Sequence, residues 1–212
     1  FKPPHLSDDR CGGKKDHSFI YPPTKNFGGR VKESDLFDFL KSRIGKLEAV
    51  VITGGEPTLH SDLPKFIAKI KKMGYKIKLD TNGTNPEMFN NLIRNKLIDY
   101  IAMDIKAPSE KYEKVTGVKV NFTNIKKSIK IIMESDVPYE FRTTIVPGLN
   151  NKKDIAKMSE MIKGADKWYL QFFKSDIDLV DAKLKGKKAF SKKEMEEMAE
   201  IGRKYVKGCE IR

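Results

Sequence analysis

From residue 31 onward, short apolar runs alternate with segments whose apolar residues recur at helical spacing. Ala49-Val50-Val51-Ile52 is an unbroken apolar run and predicts a strand over 48–52. Leu63, Phe66, Ile67 and Ile70 fall on one helical face and predict a helix over 62–73. Ser61 or Asp62 can cap that helix, Pro64 suits its first turn and Gly74 ends it. The same alternation predicts helices near 34–44, 86–96, 109–115, 122–134, 151–163 and 191–206. It predicts strands near 75–80, 99–105, 138–146 and 167–172, with a short final strand at 208–211. Ser191-Lys192-Lys193-Glu194 reads as a capping box for the last helix.

Strand–helix alternation of this kind predicts a parallel sheet with helices outside. About five core strands point to an open, partial barrel in the α/β class rather than a closed eight-fold one. This barrel domain is expected to span 31–212. Residues 1–30 carry Pro3-Pro4, Gly12-Gly13, Pro22-Pro23 and Gly28-Gly29, and read as an irregular segment. Within it only Ser18-Phe19-Ile20-Tyr21 has the makings of a strand.

Composition narrows the function classes. With 39% hydrophobic and 33% charged residues over 212 positions, the chain reads as one soluble domain able to bury a core. No apolar stretch approaches the roughly 20 residues that span a bilayer, and no signal peptide is apparent. Two distant cysteines, Cys11 and Cys209, form no disulfide framework, so a cytoplasmic setting is expected. The net charge of +13 permits nucleic-acid binding. However, the lysines are spread over helices without interleaved aromatics, so the charge reads as a solvated surface that also attracts an anionic partner.

Candidate chemistry gathers at strand ends, the mouth where ligands bind in such folds. Thr53-Gly54-Gly55-Glu56-Pro57, Leu79-Asp80-Thr81-Asn82-Gly83-Thr84 and Met103-Asp104-Ile105-Lys106 close three successive strands. Period-2 alternation places Asp104 and Lys106 on one face, and on the next strand Glu140, Arg142 and Thr144 together. Acids beside cations suit a zwitterionic ligand. Singly, each has a plain structural reading. Gly54-Gly55 could be a turn and Glu56 a helix-start acid, Asp80 and Asp104 could be caps, Asn82-Gly83 a turn, and Glu140 and Arg142 could pair with each other. Four successive strand ends carrying such groups favour a site. His5, Cys11 and His17 match no metal-ligand spacing, and no metal ligands are assigned.

Gly54-Gly55-Glu56-Pro57-Thr58, Asp80-Thr81-Asn82-Gly83, Met103-Asp104-Ile105-Lys106 and Arg142-Thr143-Thr144-Ile145-Val146-Pro147-Gly148 resemble the radical S-adenosylmethionine (SAM) activating enzymes. The activating proteins of anaerobic ribonucleoside-triphosphate reductase are the nearest type, with pyruvate formate-lyase activating enzymes next. The resemblance covers roughly residues 27–212. It implies a partial (β/α)6 radical SAM barrel, here lacking the usual first strand and cluster loop. It also implies SAM and a [4Fe–4S] cluster as cofactors, and a 5′-deoxyadenosyl radical that takes hydrogen from a glycyl-radical enzyme. A flavodoxin or ferredoxin would donate the electron. By motif match, Gly54, Gly55, Glu56 and Pro57 would hold the SAM amino group. Asp80, Asp104 and Lys106 would organise its carboxylate end, with Asn82 in the same motif, Arg142 nearby and Gln171 lining the site. Neither a membrane nor a nucleic acid is an expected partner.

The family's Cys-x3-Cys-x2-Cys run has no counterpart, since its region here holds Cys11 alone. An altered or incomplete N-terminal segment is the expected explanation. A natural cluster-less relative and cysteines from another chain are the alternatives. Two further readings stand beside the activase: a radical SAM enzyme of the 7-carboxy-7-deazaguanine synthase type, and a non-catalytic SAM-binding module.

Overall fold

A computed structural model describes residues 31–175 and 184–212. Cys11, His5, His17 and the Ser18–Tyr21 candidate strand lie outside the described residues. The elements run α1 (Glu33–Ser42), β1 (Ala49–Ile52), α2 (Leu63–Lys72), β2 (Lys76–Thr81), α3 (Pro86–Arg94), β3 (Tyr100–Asp104), α4 (Tyr112–Thr116), α5 (Phe122–Met133), β4 (Tyr139–Ile145), α6 (Lys152–Met161), β5 (Trp168–Phe172), α7 (Lys192–Arg203) and β6 (Cys209–Ile211). The predicted order holds, and boundaries move by a few residues. Among the described residues, no helix is long and apolar enough to cross a membrane.

All six strands are parallel and lie in chain order, β1-β2-β3-β4-β5-β6. The expected short final strand does pair, Trp168 standing opposite Cys209, so among the described residues the sheet has the five core strands and this sixth. Sequential order has a topological consequence. Right-handed crossovers that always step the same way put the helices on one face and leave the other as an inner face. The result is an open, partial barrel.

Side-chain alternation sorts the residues accordingly. Ile77, Leu79, Ile101, Met103, Phe141, Trp168 and Leu170 are buried and join one core with Ile67, Ile70, Phe89, Leu92, Ile125, Ile129 and Met198 from the helices. Their neighbours in sequence, including Lys78, Asp80, Asp104, Glu140 and Arg142, face inward. Behind the sheet, the Trp168 indole donates to Thr143 Oγ1 at 3.0 Å, and that hydroxyl donates to the Ile105 carbonyl at 2.6 Å. This chain of bonds ties the start of β5 through the middle of β4 to the residue that follows β3.

Helix starts follow local chemistry, with one departure. The capping box Ser191/Glu194 forms as predicted, and Asn151/Asp154 makes a second. Asn85 caps α3 by accepting from the Met88 amide at 3.1 Å. Asp62 stands at the start of α2 but makes no side-chain cap, because it has already turned helical (φ −87°, ψ −3°) and its carboxylate is not presented to the amides.

Candidate functional site

Register brings the predicted strand-end residues together. Asp80 stands opposite Ala102, and Asp104 stands opposite Arg142, so two carboxylates flank one arginine across three strands. Arg142 Nε donates to Asp104 Oδ1 at 3.1 Å, and Nη1 donates to Asp80 Oδ2 at 3.2 Å. Lys106 Nζ completes the group at 3.3 Å from Asp104 Oδ2. Burial alone would lower the Arg142 pKa, yet Asp104 and Asp80 outweigh it, so the guanidinium is held charged. Asp80 and Asp104 are therefore neither caps nor turn formers, and Arg142 pairs with them rather than with Glu140.

The glycine-rich segment is pinned beside this group by Glu56. Its Oε1 accepts from the Thr58 amide (3.2 Å), the Thr58 hydroxyl (2.5 Å) and the Thr81 hydroxyl (2.8 Å), and Oε2 accepts from the Asn82 amide at 2.6 Å. The carboxylate thus locks the end of β1 to the end of β2. It also starts a short 3₁₀ turn at Pro57–Leu59, so the helix-start reading of Glu56 holds as well. What this segment offers a ligand is backbone: Gly54 and Gly55 are exposed, with open space where a Cβ would stand, and Gly54 has φ +141°. Asn82 is used locally too, its Oδ1 accepting from the Thr84 amide and hydroxyl at 3.0 and 2.7 Å. A cavity of about 330 Å³ flanks the segment on its α2 side, lined by the predicted site residues Gly55, Glu56 and Pro57 together with Ile52, His60, Asp62, Leu63 and Phe66, whereas Asp80, Asp104, Lys106 and Arg142 do not line it.

Beneath the Asp80–Arg142–Asp104 group lies a second ionic layer. Glu140 is almost fully buried and accepts from Tyr100 Oη at 3.0 Å, Lys78 Nζ at 3.5 Å and both terminal nitrogens of Arg212 at 3.4 Å. Arg212 stacks on Tyr169, its guanidinium carbon 3.3 Å from the ring centroid. Burial, then the facing Glu140, pushes the Tyr100 hydroxyl well above its ordinary pKa, so it stays a donor. Gln171 shares the inner face opposite Thr144 at the end of β5, but is not among the residues bonded to Arg142. Lys78, Tyr100 and Arg212 were not singled out from sequence. The period-2 spacing of Lys78 with Asp80, and of Tyr100 with Asp104, is the signal that could have found them.

Thiolates are the missing part. Cys209, the one cysteine among the described residues, is buried behind the sheet against Gly202 and Trp168. Burial pushes its thiol up to about 12. The described residues therefore do not fit a [4Fe–4S] cluster, which needs three converging thiolates. The folded chain with Cys11 replaced by serine is expected to resist iodoacetamide from pH 7 to 10 and to react once denatured. Labelling followed by mass spectrometry checks this, and rapid native alkylation would contradict it.

An open parallel sheet with all helices on one face and ions at its inner mouth defines the class, a partial α/β barrel. Comparisons with known proteins agree with it. The model of the radical SAM superfamily matches residues 32–162. A Methanocaldococcus jannaschii protein described as a glycyl-radical enzyme activating enzyme is 38% identical over 170 residues, 78% of this chain and 70% of that protein. A 7-carboxy-7-deazaguanine synthase of Aquifex aeolicus is 42% identical over 64 residues, 30% of this chain and 28% of that protein. Among solved structures, a domain of a pyruvate-formate lyase-activating enzyme from Bacteroides vulgatus has the same fold, with TM-score 0.62 at 20% identity, covering 78% of this chain and 99% of that domain. The chain belongs to the radical SAM superfamily.

Proposed function

We propose that this chain is the SAM-recognising barrel of an activating enzyme that serves a glycyl-radical enzyme, of the anaerobic ribonucleotide reductase type, with a flavodoxin or ferredoxin as electron donor. The carrying observation is the Asp80–Arg142–Asp104 group at the same strand ends as the exposed Gly54-Gly55 backbone. SAM presents an ammonium, a carboxylate and a sulfonium within one small head. Backbone carbonyls near Gly54 and Gly55 accept from the ammonium. Lys106, half-exposed at the mouth, faces the carboxylate, while Arg142 holds both aspartates in place. Residues 54–57, 80, 82, 104, 106, 142 and 171 make up the proposed pocket. The likeness to the M. jannaschii protein supports the activase reading over the deazaguanine type, whose likeness covers under a third of either chain. Radical chemistry needs cluster thiolates that the described residues do not supply, so SAM recognition is the function assigned to them.

Calorimetric titration of the 212-residue chain with SAM tests the reading. Binding is expected, weakened about tenfold or more by Asp104→Asn, since a lost charge-assisted contact is worth about 1.5–3 kcal/mol. No heat of binding, with the fold intact, would sink it. Anaerobic iron–sulfide reconstitution run in parallel is expected to leave the chain without a four-iron cluster.

A further inference from the structure

Lys78 joins the two ionic layers. Its ammonium lies 3.5 Å from Glu140 Oε1 and 3.9 Å from Asp80 Oδ1, so only Glu140 holds it within hydrogen-bond reach. Asp80 Oδ2 accepts from Arg142, whereas Asp80 Oδ1 is buried and accepts no hydrogen bond from the described residues. A buried carboxylate oxygen left open is unusual, and more so with an ammonium alongside. Lys78 and Asp80 sit two apart on one face of β2, and Glu140 lies two strands away on β4. A shift of about 1 Å would bring the lysine to Asp80.

The structure assigns Glu140 the role of a positioning residue: by holding Lys78 in the lower layer, it keeps Asp80 Oδ1 free to accept from a cationic or N–H group of the bound ligand. The identity of that ligand as SAM rests on the function proposed above. Charge accounts for the arrangement. Glu140 faces two cations, Lys78 and Arg212, with the Tyr100 phenol as third donor. Asp80 faces Lys78 and Arg142, the latter shared with Asp104. Removing the charge of Glu140 leaves Lys78 beside Arg212 with no counter-ion in that layer among the described residues, of which Asp80 becomes its nearest carboxylate.

Glu140→Gln tests this in two ways. In ligand-free crystals of the variant, Lys78 Nζ is expected within about 3.2 Å of Asp80 Oδ1. Lys78 still held against residue 140, or turned to solvent, overturns the proposal. In solution, SAM affinity is expected to fall about tenfold, the size of one blocked charge-assisted contact. Adding Lys78→Met should restore affinity to that of Lys78→Met alone. A loss that persists in the double variant would mean Glu140 only supports the fold, and unchanged affinity would also overturn the role. If the parent chain binds no SAM, the function proposed above falls, while the crystal geometry still decides the role of Glu140. Should Glu140→Gln fail to fold, Glu140→Asp keeps the charge but draws it back by one methylene. Lys78 is then expected to shift part of the way toward Asp80 Oδ1 with a smaller fall in affinity, and a lysine that follows the carboxylate instead overturns the role.

Discussion

Arg142→Met is expected to destabilise the fold by about 3 kcal/mol and to abolish SAM binding. Among the described residues, the guanidinium is the only group that bonds both Asp80 and Asp104, and its side chain is 15% exposed. Methionine fills much of the same volume but leaves two partly buried carboxylates side by side on the adjacent strands β2 and β3. Breaking a buried pair by removing one partner costs about 3–5 kcal/mol. The lower end applies here because Lys106 and Lys78 remain within 4 Å of Asp104 and Asp80. Arg142→Lys should recover less than half of the loss, since one ammonium cannot reproduce a planar fork aimed at two acids. Urea unfolding at pH 7 reads the stability and calorimetry reads the binding. A variant that keeps SAM affinity would remove Arg142 from the site.

Gly83→Ala is expected to cost about 2–5 kcal/mol, from left-handed backbone strain and overpacking together. Gly83 has φ +76°, and a Cβ there would collide with the Met103 methyl and sit 3.0 Å from its sulfur. A methyl at the end of a surface methionine could swing away. Met103, however, is fully buried, and Ser128 Cβ lies 3.5 Å off on the other side. The turn is held tightly as well: the Gly83 amide donates to Thr81 Oγ1 at 3.1 Å, and its carbonyl accepts from Ser128 Oγ at 2.8 Å. Because Thr81 also donates to Glu56, the strain should reach the glycine-rich segment and weaken SAM affinity along with stability. A melting temperature within a degree of the parent would show that the core yields more easily than these contacts imply.

Much of the inner mouth was legible before any coordinates. Asp104 could be placed with Lys106, and Arg142 with Glu140 and Thr144, because alternation within a strand depends only on counting residues, and Asp80 could be placed at a strand end. Which acid would meet which base could not be read that way. Pairing depends on register, and the register that sets Asp104 opposite Arg142 also sets Glu140 one layer down, among Lys78, Tyr100 and Arg212. The part played by Glu56 was likewise only half visible. Its position announced a strand end, but its carboxylate is consumed by four donors, two of them from residues 81 and 82. Asp62 had the right spacing for a cap and the wrong backbone angles, which no composition reveals. The sixth strand is short enough that its pairing with β5, rather than its propensity, decides its existence.

The chain contains a single tryptophan, and the fold puts it to use. The Trp168 indole is hydrogen-bonded to Thr143, whose hydroxyl grips the carbonyl of Ile105, the residue between Asp104 and Lys106. Two hydrogen bonds thus separate the chromophore from the backbone that carries the mouth's acid and base. The molecule has a built-in optical gauge on the dry side of its sheet, shielded from solvent, for what happens on the wet side.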